Sequence, residues 1–432
     1  MNEGDGSLRF FFVSGGCEDV THHRRSEREV QAATMFRSRV SFSTMIFLVV
    51  LQGVAVVLFC GWYLQLSPCG STPSDKKVHI LLLSSWRSGS SFMGQVFSQH
   101  PSVFYLMEPG FHVWTAHPKS GVRSLRMALR DLFRSLFQCD FSVMDSYMPE
   151  QRNVSSLFMW SESRALCSPP ACSLTPRDQF SNQTLCAKKC DVRGLQRAEQ
   201  ACGTYSHVVL KTVRFFELES LYPLFQDPNL DLRIIHLVRD PRAVYRSREQ
   251  SSDSFVADTA VLLEHRHMPA GEVGYHAIQE ICRSHVRIYE RATVNAPPFL
   301  EDRYRMVRYE DMAQDPLKEI ASLYDFMSLE MTTELKEWIY RVTHGSGKGS
   351  KLDAFKITSR NAVDVSRAWR TMLPHSKVKR VQEVCKEAML LLGYRTVDSE
   401  KEQKKLDIDL LVPQEPYQFS WLATKTEQPS QS

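Results

Sequence analysis

The amino-acid sequence predicts an α/β protein: a parallel sheet with flanking helices, preceded by one transmembrane helix. From residue 78 onward, short apolar strands alternate with helical stretches, which is typical of a parallel sheet with crossover helices. Two of the strands run directly into a polar turn and a helix start, where backbone N–H groups and the positive helix end favour anions. Ahead of them, residues 42–66 carry no charged side chain over a length sufficient to cross a bilayer.

The charges around this apolar segment predict a single-pass membrane protein with its larger part in the lumen. Arginines precede the segment, whereas the next cations, Lys76 and Lys77, come well after it. Because positive charge is retained on the cytosolic side, we expect a cytosolic tail, 1–41, a signal anchor, 42–66, and a stem, 67–77. A cleaved signal peptide is the alternative, although the apolar run is long for one.

Cysteine content and two glycosylation motifs also indicate the secretory pathway. Cysteines concentrate within 139–205, which also holds the sequons at Asn153 (Asn-Val-Ser) and Asn182 (Asn-Gln-Thr). Zinc is the competing explanation because Cys186 and Cys190 have a suitable ligand gap, but no second Cys/His pair follows at finger spacing. We therefore predict a disulfide-stapled, loop-rich insertion without a metal. The net charge of +4 on 432 residues does not indicate nucleic-acid binding.

The lumenal domain is predicted over 78–396, with four strands and the helices between them. The strands are the apolar runs His79–Leu83, His207–Lys211, Leu232–Val238 and Tyr304–Tyr309. Helices are predicted after the first strand, over Val122–Leu136, over Phe215–Phe225, behind the caps Asp240-Pro241 and Asp315-Pro316, and over Lys377–Leu392. Thr343–Ser350 is predicted to be a flexible loop, and 397–432 a peripheral tail from which Phe419 and Trp421 can dock back.

The first anion-binding candidate is the turn Ser84–Ser91, between the first strand and its helix. The triphosphate-binding loop of kinases has two glycines and ends in Gly-Lys-Ser/Thr. This turn has one glycine, Gly89, and its cation, Arg87, precedes the glycine. No strand end offers an obvious acidic residue to hold Mg²⁺. The pattern therefore disfavours a P-loop kinase, and an ordinary strand–turn–helix of an α/β core is the structural alternative.

The second candidate is Arg239–Ser247, where a strand end meets a helix start. Four arginines, at 239, 242, 246 and 248, lie close together here, and Ser247 adds a hydroxyl. Arginine forks match phosphate oxygens, although a solvated basic helix face is the structural alternative. Two anion sites in one sheet indicate a nucleotide with phosphates at both ends of its ribose.

Several motifs resemble those of the Golgi carbohydrate sulfotransferases. The stretches SSWRSGSSF and LVRDPRAVYRS are similar to the family's loops for a 5′-phosphosulfate and a 3′-phosphate. LMEP, SRALCSPPAC, YSHVVLK-x-VRFF, THGSG and SRNA-x-x-x-S-x-AWR look like the N-acetylglucosamine 6-O-sulfotransferase subgroup, and GYR-x-V-x-SE-x-EQ looks most like its intestinal and corneal members. The resemblance runs from Val78 to Leu411. It implies the P-loop-like fold of sulfotransferases that use PAPS (3′-phosphoadenosine 5′-phosphosulfate).

The resemblance implies that PAPS is the donor, without a metal, and it indicates the residues that hold it. Arg87 stands where other sulfotransferases have lysine, so we expect it on the oxygen that bridges the sulfuryl group and the leaving phosphate. Backbone N–H groups of Ser88–Ser91 are expected to hold the 5′-phosphosulfate, and Arg239 with Ser247 the 3′-phosphate. The full predicted donor site is Trp86, Arg87, Ser88, Gly89, Ser90, Ser91, Phe92, Arg239, Asp240, Pro241, Arg242, Ala243, Val244, Tyr245, Arg246 and Ser247.

The resemblance also implies a carboxylate base near the first helix, and Glu108, beside Pro109, is the acid at that place. Such a base accepts the proton of the attacking hydroxyl. A structural carboxylate paired with an arginine is the alternative interpretation of Glu108, and His112 is the second candidate base. Lys211, at a strand end, is expected either to contact the sulfonate or to neutralise Glu108.

The implied function is transfer of sulfate to the 6-hydroxyl of N-acetylglucosamine on keratan-type or mucin-type glycans in the Golgi. The nearest alternative is 6-O-sulfation of galactose or N-acetylgalactosamine, followed by a membrane-anchored glycan-binding protein without turnover. The expected partners are a glycan acceptor and the membrane, and a homodimer stays open. By family analogy, Arg360 and the pair Trp369-Arg370 are expected to close over the nucleotide. Sequons common in relatives are absent before Thr343 and at 364–366, which removes no catalytic position.

Overall fold

The computed structural model describes residues 42–66, 77–148, 153–190, 193–347, 359–413 and 420–421. The chain divides into two units, 1–72 and 73–432. In the first unit the described segment is one helix, α1 (Phe42–Leu66), whose described side chains, 45–56, 58 and 59, are exposed and mostly apolar. Within the described ranges, no helix is both long and apolar enough to cross a membrane. The predicted tail, 1–41, and the stem up to residue 76 lie outside the described residues.

The second unit is built on parallel strands and the helices that connect them. The strands are β1 (Val78–Ser84), β2 (Val103–Leu106), β3 (His207–Thr212), β4 (Asp231–Val238), β5 (Val294–Ala296), β6 (Tyr304–Arg308), β7 (His344–Ser346), β8 (Arg360–Asn361) and β9 (Ser420–Trp421). The main sheet has the order β2-β3-β1-β4-β6, and all of its neighbouring strands are parallel. Two small sheets pair β5 with β9 and β7 with β8.

The helices of this unit connect the strands and cover the sheet. They are α2 (Ser90–Ser98), α3 (Gly110–Ala116), α4 (Val122–Phe137), α5 (Gln183–Lys189), α6 (Gln196–Gly203), α7 (Tyr222–Phe225), α8 (Pro241–Glu249), α9 (Val256–Leu262), α10 (Val273–Thr293), α11 (Tyr309–Gln314), α12 (Pro316–Met327), α13 (Thr333–Thr343), α14 (Ala362–Arg367), α15 (Trp369–Met372), α16 (His375–Val384), α17 (Lys386–Leu391) and α18 (Glu400–Lys404). Shorter 3₁₀ turns are Ser142–Ser146, Val154–Ser156, Trp160–Glu162, Arg164–Cys167, Glu219–Leu221, Ser252–Phe255 and Pro298–Leu300.

The central strand β1 divides the interior into two cores, one on each face of the sheet. Leu81 and Leu83 enter the core that contains residues of α4 and α10, whereas Ile80 and Leu82 enter the core that contains residues of α2 and α12. Because both faces are buried, β1 is apolar almost throughout instead of alternating with polar residues. Because β1 is the middle one of five strands, its carboxyl end lies at the middle of one sheet edge.

The four predicted strands are confirmed, with one difference at the last of them: Tyr309 begins helix α11 instead of ending β6. The two predicted helix starts are also confirmed. The Asp240 side chain accepts a hydrogen bond from the N–H of Arg242, and Asp315 accepts one from Lys318. Asx caps followed by proline therefore located both helix starts from local sequence alone.

Two predicted helices are wrong in extent. Over Phe215–Phe225 only the end is helical, as a 3₁₀ turn followed by α7, whereas Phe215 and Phe216 are buried in the core outside any helix or strand. Lys377–Leu392 is not one helix but α16 and α17, which meet at Cys385, a residue with non-helical backbone angles and a disulfide to Cys282 on α10.

The predicted peripheral tail, 397–432, is not peripheral in its first part, residues 397–412. Gln403 on α18 is fully buried, and its side-chain amide donates to the carbonyl groups of Arg370 and Leu373. Trp421 pairs with Ala296 in the small β5–β9 sheet. Phe419 lies outside the described residues, as do residues 348–350 of the predicted glycine–serine loop. In the described part of that loop, Thr343 ends α13 and His344–Ser346 form strand β7.

The cysteine-rich insertion is held by disulfides, as predicted. One closes its two ends, and two lie within it; a fourth joins α10 to the junction of α16 and α17. The pairs are Cys139–Cys202, Cys167–Cys186, Cys172–Cys190 and Cys282–Cys385. Of the two sequon asparagines, Asn182 is exposed and caps α5, whereas Asn153 is half-buried.

Candidate active site

A cleft lies at the carboxyl edge of the main sheet, and five strands supply its residues. Because parallel strands end on the same edge, the residues that follow them converge there. The predicted residues in its lining are Trp86, Arg87, Gly89, Ser90, Ser91, Phe92, Glu108, Lys211, Arg239, Ser247 and Arg360. Residues that the sequence analysis did not assign to the site also line it: Val213, Tyr309, Val342, Thr343, Ala362 and Val365.

The turn after β1 is compact and locally constrained. The N–H of Ser88 bonds to the carbonyl of Ser85 at 3.3 Å, and both Arg87 (φ 69°) and Gly89 (φ 91°) have left-handed backbone angles. Gly89 immediately precedes α2, so the first N–H groups of that helix have no partner from a preceding turn. Ser88 is fully buried and does not line the cleft, unlike its predicted partners Ser90 and Ser91.

The two predicted anion-binding loops are joined by direct hydrogen bonds. The Arg87 Nε–H donates to the Ser247 hydroxyl at 2.8 Å. In return, a guanidinium N–H of Arg239 donates to the Arg87 carbonyl at 2.9 Å, and another donates to the Val365 carbonyl at 2.9 Å. The loops after β1 and β4 therefore form one site, as the order of adjacent strands requires.

Most of the run from 240 to 246 faces away from the cleft. Arg242 is fully buried: its guanidinium binds both oxygens of Asp240, the Gln382 side chain and the Arg395 carbonyl, and it stacks on Trp369 at 4.1 Å. None of its neighbours in the run lines the cleft; these are Asp240, Pro241, Ala243, Val244, Tyr245 and Arg246. Helix geometry is the reason, since Arg239 precedes α8 and Ser247 lies on the opposite face from Arg242.

The predicted closure by Trp369 and Arg370 is not seen. Trp369 is buried beneath Arg242. The Arg370 guanidinium is bonded to the carbonyl groups of Gln403, Lys405 and Ile408, so it fixes the C-terminal segment. Arg360, predicted alongside them, does line the cleft.

The cleft is strongly cationic. Burial, followed by the charges of Arg239, Arg360 and Arg246, lowers the pKa of Arg87 to about 10. The buried Nε of Arg239 has no hydrogen-bond partner among the described residues, and its guanidinium lies 4.4 Å over the ring of Tyr309. Arginines that repel one another in this way are stabilised by a bound anion with several oxygens.

Glu108 lines the same cleft as these arginines. Its carboxylate accepts a hydrogen bond from Lys211 Nζ at 2.6 Å and forms an ion pair with Arg214. Burial raises the pKa of Glu108, but the charges and hydrogen bonds of Lys211 and Arg214 outweigh burial and leave the pKa below its usual value. The carboxylate is therefore ionised at neutral pH. Burial, together with the charge of Arg214, outweighs the effect of Glu108 and lowers the pKa of Lys211.

His112 is not placed to act as a base. Its Nε2 already accepts a hydrogen bond from the N–H of Phe158 at 3.0 Å. Burial, with a smaller contribution from the charge of Arg214, lowers the pKa of His112 to about 4. The ring does not line the cleft and instead fixes Phe158, from the cysteine-rich insertion, against α3.

Arg214 is the most important residue that sequence reasoning missed. It bridges Glu108 and Asp258, with guanidinium N–H groups at 2.9 to 3.2 Å from the Asp258 oxygens. The signal in the sequence was a cation two residues after the end of β3, at the edge of the sheet that carries the site. Its pairing with Glu108 depends on tertiary structure and has no local signature.

Comparison with known proteins identifies the family of this chain. The sulfotransferase domain family matches residues 77–393. Human carbohydrate sulfotransferase 6 is 50% identical over 398 residues, covering 91% of this chain and 100% of the relative. Human carbohydrate sulfotransferase 5 is 51% identical, covering 92% of this chain and 96% of the relative, and mouse carbohydrate sulfotransferase 4 is 46% identical, covering 83% and 93%.

The chain belongs to the carbohydrate sulfotransferase family. The family predicted from the sequence is thereby confirmed, and so is the prediction that the protein is an enzyme that transfers sulfate. The sulfotransferase family uses PAPS as its donor.

The sulfotransferase also buries an acid beside the loop that follows β4. Glu310 on α11 accepts hydrogen bonds from the N–H of Asp240, at 3.1 Å, and from the Tyr394 hydroxyl, at 2.9 Å. Burial and the neighbouring Asp240 carboxylate raise the pKa of Glu310 to about 7. The folded protein therefore holds the proton of Glu310 more tightly than the unfolded chain does.

This raised pKa predicts a pH-dependent stability. The contribution of Glu310 is full below its ordinary pKa of 4.5 and is lost as the pH rises through about 7. Glu310→Gln, which stays neutral, should therefore flatten the decline in melting temperature between about pH 5 and 8. Thermal unfolding of both proteins across this range is the measurement. A melting-temperature difference that does not change with pH would contradict the assignment.

Proposed function

We propose that the enzyme transfers sulfate from PAPS to the 6-hydroxyl of N-acetylglucosamine in keratan-type or mucin-type glycans, in the lumen of the Golgi. The observation that carries the proposal is a single cleft in which a cluster of arginines faces an ionised carboxylate. A donor with two anionic ends needs the arginines, and an attacking hydroxyl needs a proton acceptor.

The residues of the cleft fit the donor. The orphaned Nε of Arg239 and the positive helix start at Gly89 both favour phosphate or sulfate oxygens. When bound, PAPS supplies the sulfuryl group and a phosphate leaving group.

Each residue has a separate task in this proposal. Arg87 neutralises charge on the oxygen that bridges the sulfuryl group and the leaving phosphate. Backbone N–H groups at Ser90 and Ser91 hold the 5′ end, and Arg239 with Ser247 holds the 3′-phosphate. Lys211 keeps Glu108 ionised and lies close enough to the cleft to meet a sulfonate oxygen.

Glu108 is proposed as the proton acceptor. A carboxylate with a lowered pKa is a weak base towards a free alcohol, but the attacking hydroxyl becomes strongly acidic as its oxygen bonds to sulfur. An ionised carboxylate therefore suffices, and Lys211 and Arg214 stabilise its position for the transfer. His112, whose Nε2 is engaged, has no such capacity.

Gly89 provides a direct test of the donor loop. A Cβ at this position would overlap the ring of Tyr309, and the left-handed backbone costs any other residue roughly 1 kcal/mol. We expect Gly89→Ala to weaken binding of 3′-phosphoadenosine 5′-phosphate by at least tenfold, measured by titration calorimetry. Gly203→Ala is the matched control, because a Cβ there meets no atom within 4 Å. Unchanged affinity in Gly89→Ala would show that the nucleotide binds elsewhere.

An aromatic pair next to Glu108 supports a sugar acceptor. Phe111 on α3 and Phe158 from the insertion are stacked, with ring centroids 4.2 Å apart, and both are half-buried. The Arg214 guanidinium that pairs with Glu108 lies 5.2 Å from the Phe111 ring. Partly exposed aromatic rings provide apolar surface for the C–H faces of a sugar. We infer that this pair positions the acceptor sugar beside Glu108.

Phe158→Ala should therefore act on the acceptor and not on the donor. We expect the KM for a glycan acceptor to rise roughly tenfold, while the KM for PAPS stays unchanged. Phe180→Ala is the control, since Phe180 lies in the same insertion and is also stacked on an aromatic ring, that of Trp338, away from Glu108. Steady-state kinetics with each substrate varied gives both constants. An equal rise in both variants would contradict an acceptor role for Phe158.

The acceptor sugar is tested with a panel of defined glycans. Radiolabelled sulfate transfer is measured with acceptors that end in N-acetylglucosamine, in galactose and in N-acetylgalactosamine. Transfer to the N-acetylglucosamine-terminated acceptors supports the proposal. Transfer confined to galactose-capped acceptors would show that the acceptor is galactose and not N-acetylglucosamine. The proposed donor site would not be contradicted by that result.

We also propose that α1 anchors the enzyme in the membrane, with the cytosolic tail ahead of it. The helix contains no charged residue over Phe42–Leu66, and arginines precede it. Four disulfides in the second unit are consistent with an oxidising lumen. Protease treatment of sealed Golgi vesicles is the test: protection of residues beyond the helix is expected, and their digestion would contradict lumenal placement.

A further inference from the structure

A continuous chain of buried hydrogen bonds runs from β6 to the turn that carries Arg87. The Tyr304 hydroxyl lies 2.7 Å from His236 Nδ1, and His236 Nε2 lies 2.8 Å from His285 Nδ1. His285 Nε2 lies 3.1 Å from Ser85 Oγ, which lies 2.7 Å from Ser88 Oγ. All five side chains are buried, and none belongs to the proposed reaction.

The hydrogen bonds through the two histidines share one donor-to-acceptor direction. Burial lowers the pKa of His285 to about 4 and that of His236 well below its ordinary value, so both rings are neutral. A neutral imidazole has one donor nitrogen and one acceptor nitrogen. Because two neutral rings are joined in series, the three hydrogen bonds from Tyr304 to Ser85 must point the same way, whereas either serine hydroxyl can be the donor in the last bond. Reorientation of one ring requires reorientation of the other, which makes the chain of hydrogen bonds stiff.

The end of the chain fixes the turn that presents Arg87. Ser85 and Ser88 are the first and last residues of the four-residue turn that contains Arg87. They are joined twice, by a backbone hydrogen bond at 3.3 Å and by their hydroxyls at 2.7 Å. Arg87 lies between them with φ 69°, a backbone conformation that disfavours residues other than glycine. Holding both ends of the turn in place keeps Arg87 in that conformation.

We propose that His236 and His285 are positioning residues that act through Ser85 and Ser88 to hold Arg87 against the donor. The inference rests on the donor site proposed above. The histidines themselves do not touch the cleft, so their effect is expected on the placement of Arg87 and not on charge in the site.

The test uses full-length enzyme and the nucleotide 3′-phosphoadenosine 5′-phosphate. His285→Phe keeps the ring shape and removes both hydrogen bonds. We expect nucleotide affinity and kcat each to fall roughly ten- to hundredfold, with the acceptor KM unchanged. Ser85→Ala, which cuts the chain but leaves both rings in place, should show the same pattern and provides the answer if His285→Phe does not fold.

Two comparisons separate positioning from general stabilisation. His207→Phe removes a buried histidine whose Nε2 bonds to the Met327 carbonyl at 3.0 Å, at the other end of the sheet; it should lower the melting temperature without changing nucleotide affinity. In an Arg87→Ala background, His285→Phe should cause no further loss of nucleotide affinity.

Nucleotide affinity and kcat within twofold of wild type in Ser85→Ala and in any folded His285→Phe would overturn the proposal. So would a full additional loss of affinity in the Arg87→Ala background. If wild-type enzyme itself does not bind the nucleotide, the proposed donor site fails first, and this result is distinct from failure of the histidine chain.

Discussion

Arg87→Ala is expected to lower kcat for sulfate transfer by roughly 10²- to 10³-fold, the largest loss among substitutions in the donor loops. The reason is that Arg87 has two tasks. Its guanidinium lies in the cleft, where it can neutralise the leaving phosphate, and its Nε–H holds Ser247 of the second loop at 2.8 Å. Initial rates with radiolabelled PAPS at saturating acceptor measure the effect.

One further variant separates these tasks, and a second variant serves as the control. Arg87→Lys keeps the positive charge but loses the planar fork that reaches Ser247, so we expect a smaller loss, roughly tenfold. Arg283→Ala, at an exposed arginine paired with Glu280 on α10, should leave the rate unchanged. If Arg87→Ala retains more than a tenth of wild-type kcat while remaining folded, Arg87 does not stabilise the leaving group.

Glu108→Gln is expected to lower kcat by roughly 10²- to 10⁴-fold, because an amide cannot accept the proton of the attacking hydroxyl. The same change leaves Lys211 and Arg214 without the carboxylate that both contact, so the melting temperature should also fall. Kinetics and thermal unfolding on the same preparation separate the two effects. A folded Glu108→Gln enzyme with near-normal kcat would leave Glu108 only a structural role.

The pH profile adds a test with a definite sign. Because Lys211 and Arg214 hold the pKa of Glu108 below its usual value, the acidic limb of kcat/KM should lie below about pH 4.5. Lys211→Met removes the charge that lowers this pKa most, so the pKa of Glu108 should rise and the limb should move to higher pH. An acidic limb that stays in place in Lys211→Met would contradict the assignment of the base to Glu108.

The parts of the site that could be predicted from sequence are those with a local signature. Gly89 with its small neighbours marks a turn into a helix, and Asp240-Pro241 marks a helix start, so the sequence alone predicts the positions of both loops. A parallel sheet is sufficient to predict that the two loops lie in one site, because it brings the ends of the adjacent strands β1 and β4 together.

The parts that could not be predicted depend on contacts between distant segments. Arg239 and Arg242 lie in the same basic stretch, and the sequence does not show which of them faces the cleft. Helix geometry turns Arg242 inward onto Asp240 and Trp369. Arg214 binds Glu108 across a sequence separation of 106 residues. The edge strand β2, of only four residues, was too short to show a pattern before Glu108.

The central claim is that the cleft between the two loops binds a nucleotide through both of its ends, without a metal. Titration calorimetry of the full-length enzyme with 3′-phosphoadenosine 5′-phosphate in the presence of EDTA tests it most directly. The account predicts one nucleotide bound per chain, with an affinity that EDTA does not change and that Gly89→Ala lowers at least tenfold. Absence of binding in EDTA, or equal binding of ATP that requires Mg²⁺, would contradict it.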